Sequence, residues 1–89
     1  MNITKHAFER MRERGFTVEM LGRVLRRKDL VRDPSDKEGV SKIITEVDNR
    51  FWTLIVSDDL KTLITVRRAH EDEVQKAREH HAAQGVQAG

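Results

Sequence analysis

The chain has 89 residues, of which 37% are hydrophobic and 36% charged, with a net charge of +2 and no cysteine. That length suits one domain with a modest core. The composition excludes disulfides, thiolate catalysis and cysteine-ligated zinc, and no apolar run approaches a membrane span. The opening Met1-Asn2-Ile3-Thr4-Lys5-His6 leads into a charged helix rather than an apolar signal segment, so a cytoplasmic protein is expected.

In chain order, residues 4–14 read as a helix, with Thr4 as N-cap and Gly15 just past its end. Thr17 is a second N-cap candidate. Val18, Leu21, Val24 and Leu25 then repeat at helical spacing to about Arg27, and the short Gly15 break implies a hairpin or corner. Residues 29–39 hold Asp33-Pro34-Ser35-Asp36 and end in Gly39, which is turn chemistry, with room for a short edge strand at 30–32. Three strands follow at about 40–47, 50–57 and 61–68. The Asp48-Asn49 and Ser57-Asp58-Asp59 turns between them favour an antiparallel meander. The almost continuously apolar Phe51-Trp52-Thr53-Leu54-Ile55-Val56 marks the second of these strands as central. A last helix spans about 70–82, with Glu71, Asp72 and Glu73 in its first turn as the helix dipole prefers. A frayed tail is expected at 83–89. The fold class is therefore α+β: an N-terminal two-helix hairpin on a small antiparallel sheet of three or four strands, then a C-terminal helix. The helices are expected on one sheet face, leaving the other partly free.

Arginine outnumbers lysine among the 17 basic residues and clusters at 10–14, 23–27 and 67–68. Its planar fork suits bidentate phosphate contacts, so a local basic surface could bind nucleic acid despite the mild net charge. An ordinary solvated surface accounts for the composition equally simply.

On a helical wheel, Arg10 lies roughly 40° and Arg14 roughly 80° round from His6, at about 100° per residue. Ile3, Ala7 and Met11 share that side, so the arginines border the apolar face and need partners. Phosphate is one such partner, with His6 beside it as general acid or base. A carboxylate such as Glu46 or Asp48 is another, and leaves His6 at a packing edge.

In the last strand, alternation sets Leu63, Thr65 and Arg67 on one face and Thr62, Ile64, Val66 and Arg68 on the other, with the second set expected in the core. Thr65, Arg67, Arg68 and His70 gather hydroxyl, guanidinium and imidazole groups within six residues. Routine polar termination of a strand is the commoner origin of such a set; the alternative is a group that positions RNA and neutralises its phosphorane. Of Phe51 and Trp52, whichever faces the free side could stack a base. His80-His81 cannot both face one metal from a regular helix, and there is no phosphate loop or nucleophile elbow; no metal or cofactor is expected.

The segment Ile3-Thr4-Lys5-His6-Ala7-Phe8-Glu9-Arg10-Met11-Arg12-Glu13-Arg14-Gly15-Phe16-Thr17 resembles the opening of domain-of-unknown-function family 4258, whose pattern is roughly His-Ala-x-x-Arg-x-x-x-Arg-Gly-[Ile/Phe]-[Ser/Thr]. The resemblance covers about residues 3–68. The family is grouped with RelE-like and barnase-like toxin ribonucleases, which implies one such domain over 1–82 and a metal-independent endoribonuclease. His6, Arg10 and Arg14 carry over by the motif. Arg67 as transition-state cation, with Thr65, Arg68 and His70 on the substrate, are positional assignments. The chain has no tyrosine, so any tyrosine role in that superfamily is unfilled. The resemblance implies RNA as substrate and an antitoxin or immunity protein as partner, in a toxin–antitoxin or contact-inhibition system. The alternative is a non-catalytic module, such as a mobile-element or phage inhibitor protein, gripping nucleic acid or protein with the same basic face.

Overall fold

The computed structural model describes residues 1–27, 30–34 and 38–88. The chain runs β1 (Asn2–Ile3), α1 (Lys5–Arg14), α2 (Val18–Leu25), β2 (Val31–Pro34), β3 (Val40–Val47), β4 (Arg50–Ser57), β5 (Thr62–Arg68) and α3 (Glu71–Ala88). The class is α+β, as the residue pattern predicts. The sheet has five strands in the order β1-β5-β4-β3-β2. It is mixed rather than purely antiparallel, because β1 pairs parallel to β5. Part of the turn segment at 29–39, including Ser35 and Asp36, lies outside the described residues.

Local chemistry sets the helix ends. Thr4 has an extended backbone, and its Oγ1 accepts from the Ala7 N–H to cap α1. Gly15 ends α1 at φ 73°, in the left-handed region that favours glycine, and its N–H reaches Met11 O. Thr17 caps α2 by accepting from Met20 N–H, while the Met20 sulfur accepts from Thr17 N–H, a capping box with a thioether in the usual acidic place. The β3–β4 hairpin turns on Asp48 and Asn49, both at positive φ, as a two-residue turn of matching twist requires.

β4 is central, as its apolar run predicts. Its Trp52, Leu54 and Val56 pack with Ile43 and Val47 of β3 and Leu63 and Val66 of β5 under α1 and α2. The helices contribute Ala7, Met11, Met20, Leu21 and Val24, and Phe16 fills the corner between them. This is the main core.

Two expectations about the sheet need correction. Strict alternation in β5 is broken: Ile55 pairs with Thr65 but Val56 with Leu63, so Ile64 is an extra residue in a bulge. Leu63 and Val66 therefore face the same core, both fully buried, and the expected core set of Thr62, Ile64, Val66 and Arg68 holds only beyond the bulge. Thr4 fastens this point, its N–H bonding Leu63 O and its hydroxyl bonding Ile64 O. The second correction concerns the far sheet face, which α3 partly covers. Ala77 of α3 forms a small second cluster there with Val31 and Ile44, flanked by Phe51 and Ala69. α3 also runs to Ala88, through most of the stretch expected to be a frayed tail. Among the described residues, no helix is long and apolar enough to cross a membrane.

Candidate functional site

α1 packs on β5 and α2 on β3. Ala7 and Met11 of α1 point into the core. Phe8 and Arg12, on one flank, line a hollow with Phe16, Thr17 and Val18 at the start of α2. His6 and Arg10 occupy the other flank, roughly 100° and 60° from Ala7 in the opposite sense. That flank lies away from α2 and so overlooks the β1 side of the sheet. Here β1 pairs only with Thr62 and Leu63, and Thr4 bonds the carbonyls of Leu63 and Ile64, so β5 has an open outer edge from Thr65 onward among the described residues.

His6 and Arg14 are exposed and have no hydrogen-bonding or ionic partner among the described residues. Arg10 pairs with Glu13 on its own helix at 2.7 Å, both side chains well exposed at 40% and 58%. Such a pair is weak and easily exchanged for another anion. Of the carboxylates suggested by the sequence, Asp48 takes Arg23 at 3.2 Å instead, and the Glu46 carboxylate pairs with none of the stripe, its backbone carbonyl accepting from Arg27, which also bonds Thr45 Oγ1.

The remaining candidates divide between the two sheet faces. Arg68 stays on the helix side, its guanidinium 5.4 Å from the centre of the buried Trp52 ring, which meets Phe16 edge-on at 5.1 Å. Arg14 lies two residues before Phe16, at that same end of α1. Thr65 and Arg67 face the opposite side, opposite Ile55 and Thr53 in register. Phe51 is on that face too, but the Arg78 guanidinium of α3 sits 5.7 Å from its ring centre.

Arg67 and His70 are drawn together by a residue that the helix-dipole reading alone accounted for. Glu73 is only 3% exposed. Its carboxylate accepts two hydrogen bonds from Arg67, at 2.7 and 2.8 Å, one from the Thr53 hydroxyl at 3.0 Å and one from the His70 N–H at 2.8 Å. Lys42 approaches it at 3.3 Å, and the His70 imidazole stands 3.9 Å away. Asp33 extends the network, 3.9 Å from Lys42 and 2.9 Å from Lys76. Burial pushes the Glu73 carboxyl up, but the hydrogen bonds from Arg67, His70 N–H and Thr53 outweigh it and hold it well below the usual carboxylate range. One local signal for Glu73 existed: it stands three residues after His70, the spacing at which an acidic side chain reaches back to a helix's first N–H. Nothing in the sequence marks Lys42 or Thr53 beyond their place on the second face of a strand.

The arrangement thus offers two basic regions. One is the open flank of α1 with His6, Arg10 and Arg14. The other is the Arg67–Lys42 pair under α3, already paired with Glu73. No curated protein and no solved structure matches the chain. The model of a family described as a domain of unknown function, DUF4258, matches residues 3–68, from β1 through the end of β5. The chain belongs to that family.

Proposed function

We propose that this protein is a cytoplasmic, metal-independent endoribonuclease of the RelE-like and barnase-like kind, acting as a toxin held in check by a cognate antitoxin or immunity protein. The observation that supports this reading is how the N-terminal motif divides. Ala7 is core, Gly15 supplies a left-handed helix end, Phe16 packs on Trp52 and Thr17 caps α2. The fold thereby accounts for the motif's apolar, glycine and threonine positions. Among the described residues it makes no use of His6 or Arg14 and only weak use of Arg10.

What is left over is one imidazole and two guanidiniums on one accessible helix flank. In the proposed reaction the substrate 2′-oxygen attacks the adjacent phosphorus and the P–O5′ bond breaks, giving a 2′,3′-cyclic phosphate and a 5′-hydroxyl. His6 takes the 2′-hydroxyl proton and returns it to the departing 5′-oxygen, while Arg10 and Arg14 hold the phosphate and offset its growing charge. Arg68, held over Trp52, adds positive charge at the same end of the domain.

A second reading, a binding module that grips RNA without cutting it, draws support from Arg67. The cation expected to serve the transition state is bidentate with Glu73 on the opposite sheet face from α1. Incubation of end-labelled RNA with wild type and with a His6→Ala, Arg10→Ala double variant separates the two. The nuclease reading requires fragments ending in cyclic phosphate from wild type alone. Equally intact RNA in both samples ends it, and salt-sensitive binding without cleavage then favours the module.

A further inference from the structure

The carboxylate of Glu73 is held as a small oxyanion ligand would be. A bidentate guanidinium, a lysine ammonium, a hydroxyl and a backbone N–H all converge on it, and it is almost wholly buried. Arg67, Lys42 and Thr53 belong to the sheet, within the part of the chain that the family model matches, whereas Glu73 belongs to α3, which lies beyond it. Only Ala69 and His70 separate β5 from α3. Among the described residues, the apolar seat of α3 is slight, resting on Ala77 against Val31 and Ile44, while the main core lies on the other face. Its further ties are polar and accessible, among them Lys76 to Asp33 and Arg78 over Phe51. The described part of α3 is thus held mainly by charge, and charge is what a competing anion can replace.

We propose that Arg67, Lys42 and Thr53 form a second RNA-phosphate site on the sheet face, and that α3 closes it in cis by placing Glu73 where a phosphodiester would bind. The two non-bridging oxygens of a phosphodiester present to a guanidinium the same two-point acceptor as a carboxylate. The half-buried Thr65 hydroxyl lies on the same face, two residues from Arg67 along the strand. RNA that displaces α3 reaches both faces of β5 around its open outer edge, with the α1 flank on one side and Arg67 on the other. The inference rests on the RNA reading above, and it adds that the isolated chain is a closed form.

The test uses the full-length chain and a short fluorescein-labelled single-stranded oligoribonucleotide, with binding read by fluorescence anisotropy at low salt. Glu73→Gln keeps the shape and removes the charge, and it tightens binding about tenfold over wild type. Arg67→Ala added to Glu73→Gln abolishes the gain. Unchanged affinity in a folded Glu73→Gln protein overturns the proposal. So does a polyglutamate peptide that competes as well as the RNA, since the ligand would then be an acidic protein segment. Wild type supplies a readout that no variant's folding can obscure: saturating oligoribonucleotide accelerates amide hydrogen exchange in α3 but not in β4. Equal protection of α3 with and without RNA also overturns it. Failure here is distinct from failure of the nuclease reading, because cleavage is lost with His6→Ala whatever Glu73 does.

Discussion

Neutralising Glu73 perturbs stability with a sign and a pH dependence that the structure fixes. Glu73→Gln retains an acceptor for Arg67 and the His70 N–H but loses the charge that faces Arg67 and Lys42. Charge-assisted hydrogen bonds are worth about 1.5–3 kcal/mol and neutral ones roughly half that. Arg67 and Lys42 are 26% and 24% exposed, so water screens part of the loss. The net cost at pH 7 is about 2 kcal/mol, a fall in melting temperature of about 8–16 °C for a domain of this size. Because the folded carboxyl titrates below its ordinary value of 4.5, its contribution is complete above that pH and is lost as pH falls beneath it. That loss proceeds at no more than about 1.4 kcal/mol per pH unit. Urea unfolding of both proteins at pH 7 and pH 3, followed by Trp52 fluorescence and far-ultraviolet circular dichroism, gives the comparison. The wild-type advantage is smaller at pH 3 than at pH 7. An advantage below about 0.5 kcal/mol at pH 7, or one of equal size at both pH values, refutes the assignment of Glu73 as the charge that holds α3 to the sheet.

Three further outcomes are expected. His6→Ala and Arg14→Ala each leave thermal stability within about 0.5 kcal/mol, since neither side chain has a partner among the described residues, while RNA cleavage falls by about 10²–10⁴-fold for His6→Ala. The two α-hairpin glycines respond with opposite sign in thermal melts. Gly15→Ala costs about 1 kcal/mol because φ is 73° there, whereas Gly22→Ala, inside α2 with open space at its Cβ, gains about 0.5–1 kcal/mol. Thr4→Val removes both the α1 cap and the hydroxyl bond to Ile64 O, and costs about 1.5–2 kcal/mol in denaturant unfolding.

The α1 motif illustrates how far local information reaches. As caps, Thr4, Gly15 and Thr17 act through atoms within four residues of themselves, so those roles follow from residue type and spacing. The Asp48-Asn49 turn is local in the same way, because only its own two backbones must enter positive φ. The central place of β4 follows from an apolar run that must be covered on both faces. The stripe of His6, Arg10 and Arg14 was legible as a stripe. Its partners were not, because Glu13, Glu46 and Asp48 compete on nearly equal terms until the helix is docked.

What the sequence alone determined, then, is the order, type and ends of the elements and the residues that could carry phosphate chemistry. Tertiary structure decided which of those residues share a face. A two-residue strand such as β1 has no periodicity to read, and its parallel pairing with β5 spans the length of the domain. One extra residue at Ile64 shifts the alternation of β5 and brings Leu63 into the same core as Val66, while Arg68 on Trp52 and Arg67 on the far face stand where the alternation of that strand predicts. The contact between Lys42 and Glu73 joins residues distant in the chain, and it exists only because α3 folds back across a sheet face that no local rule assigns to it. Short-range hydrogen bonding and steric preference are written residue by residue, whereas the pairing of distant charges depends on which surfaces the core brings together.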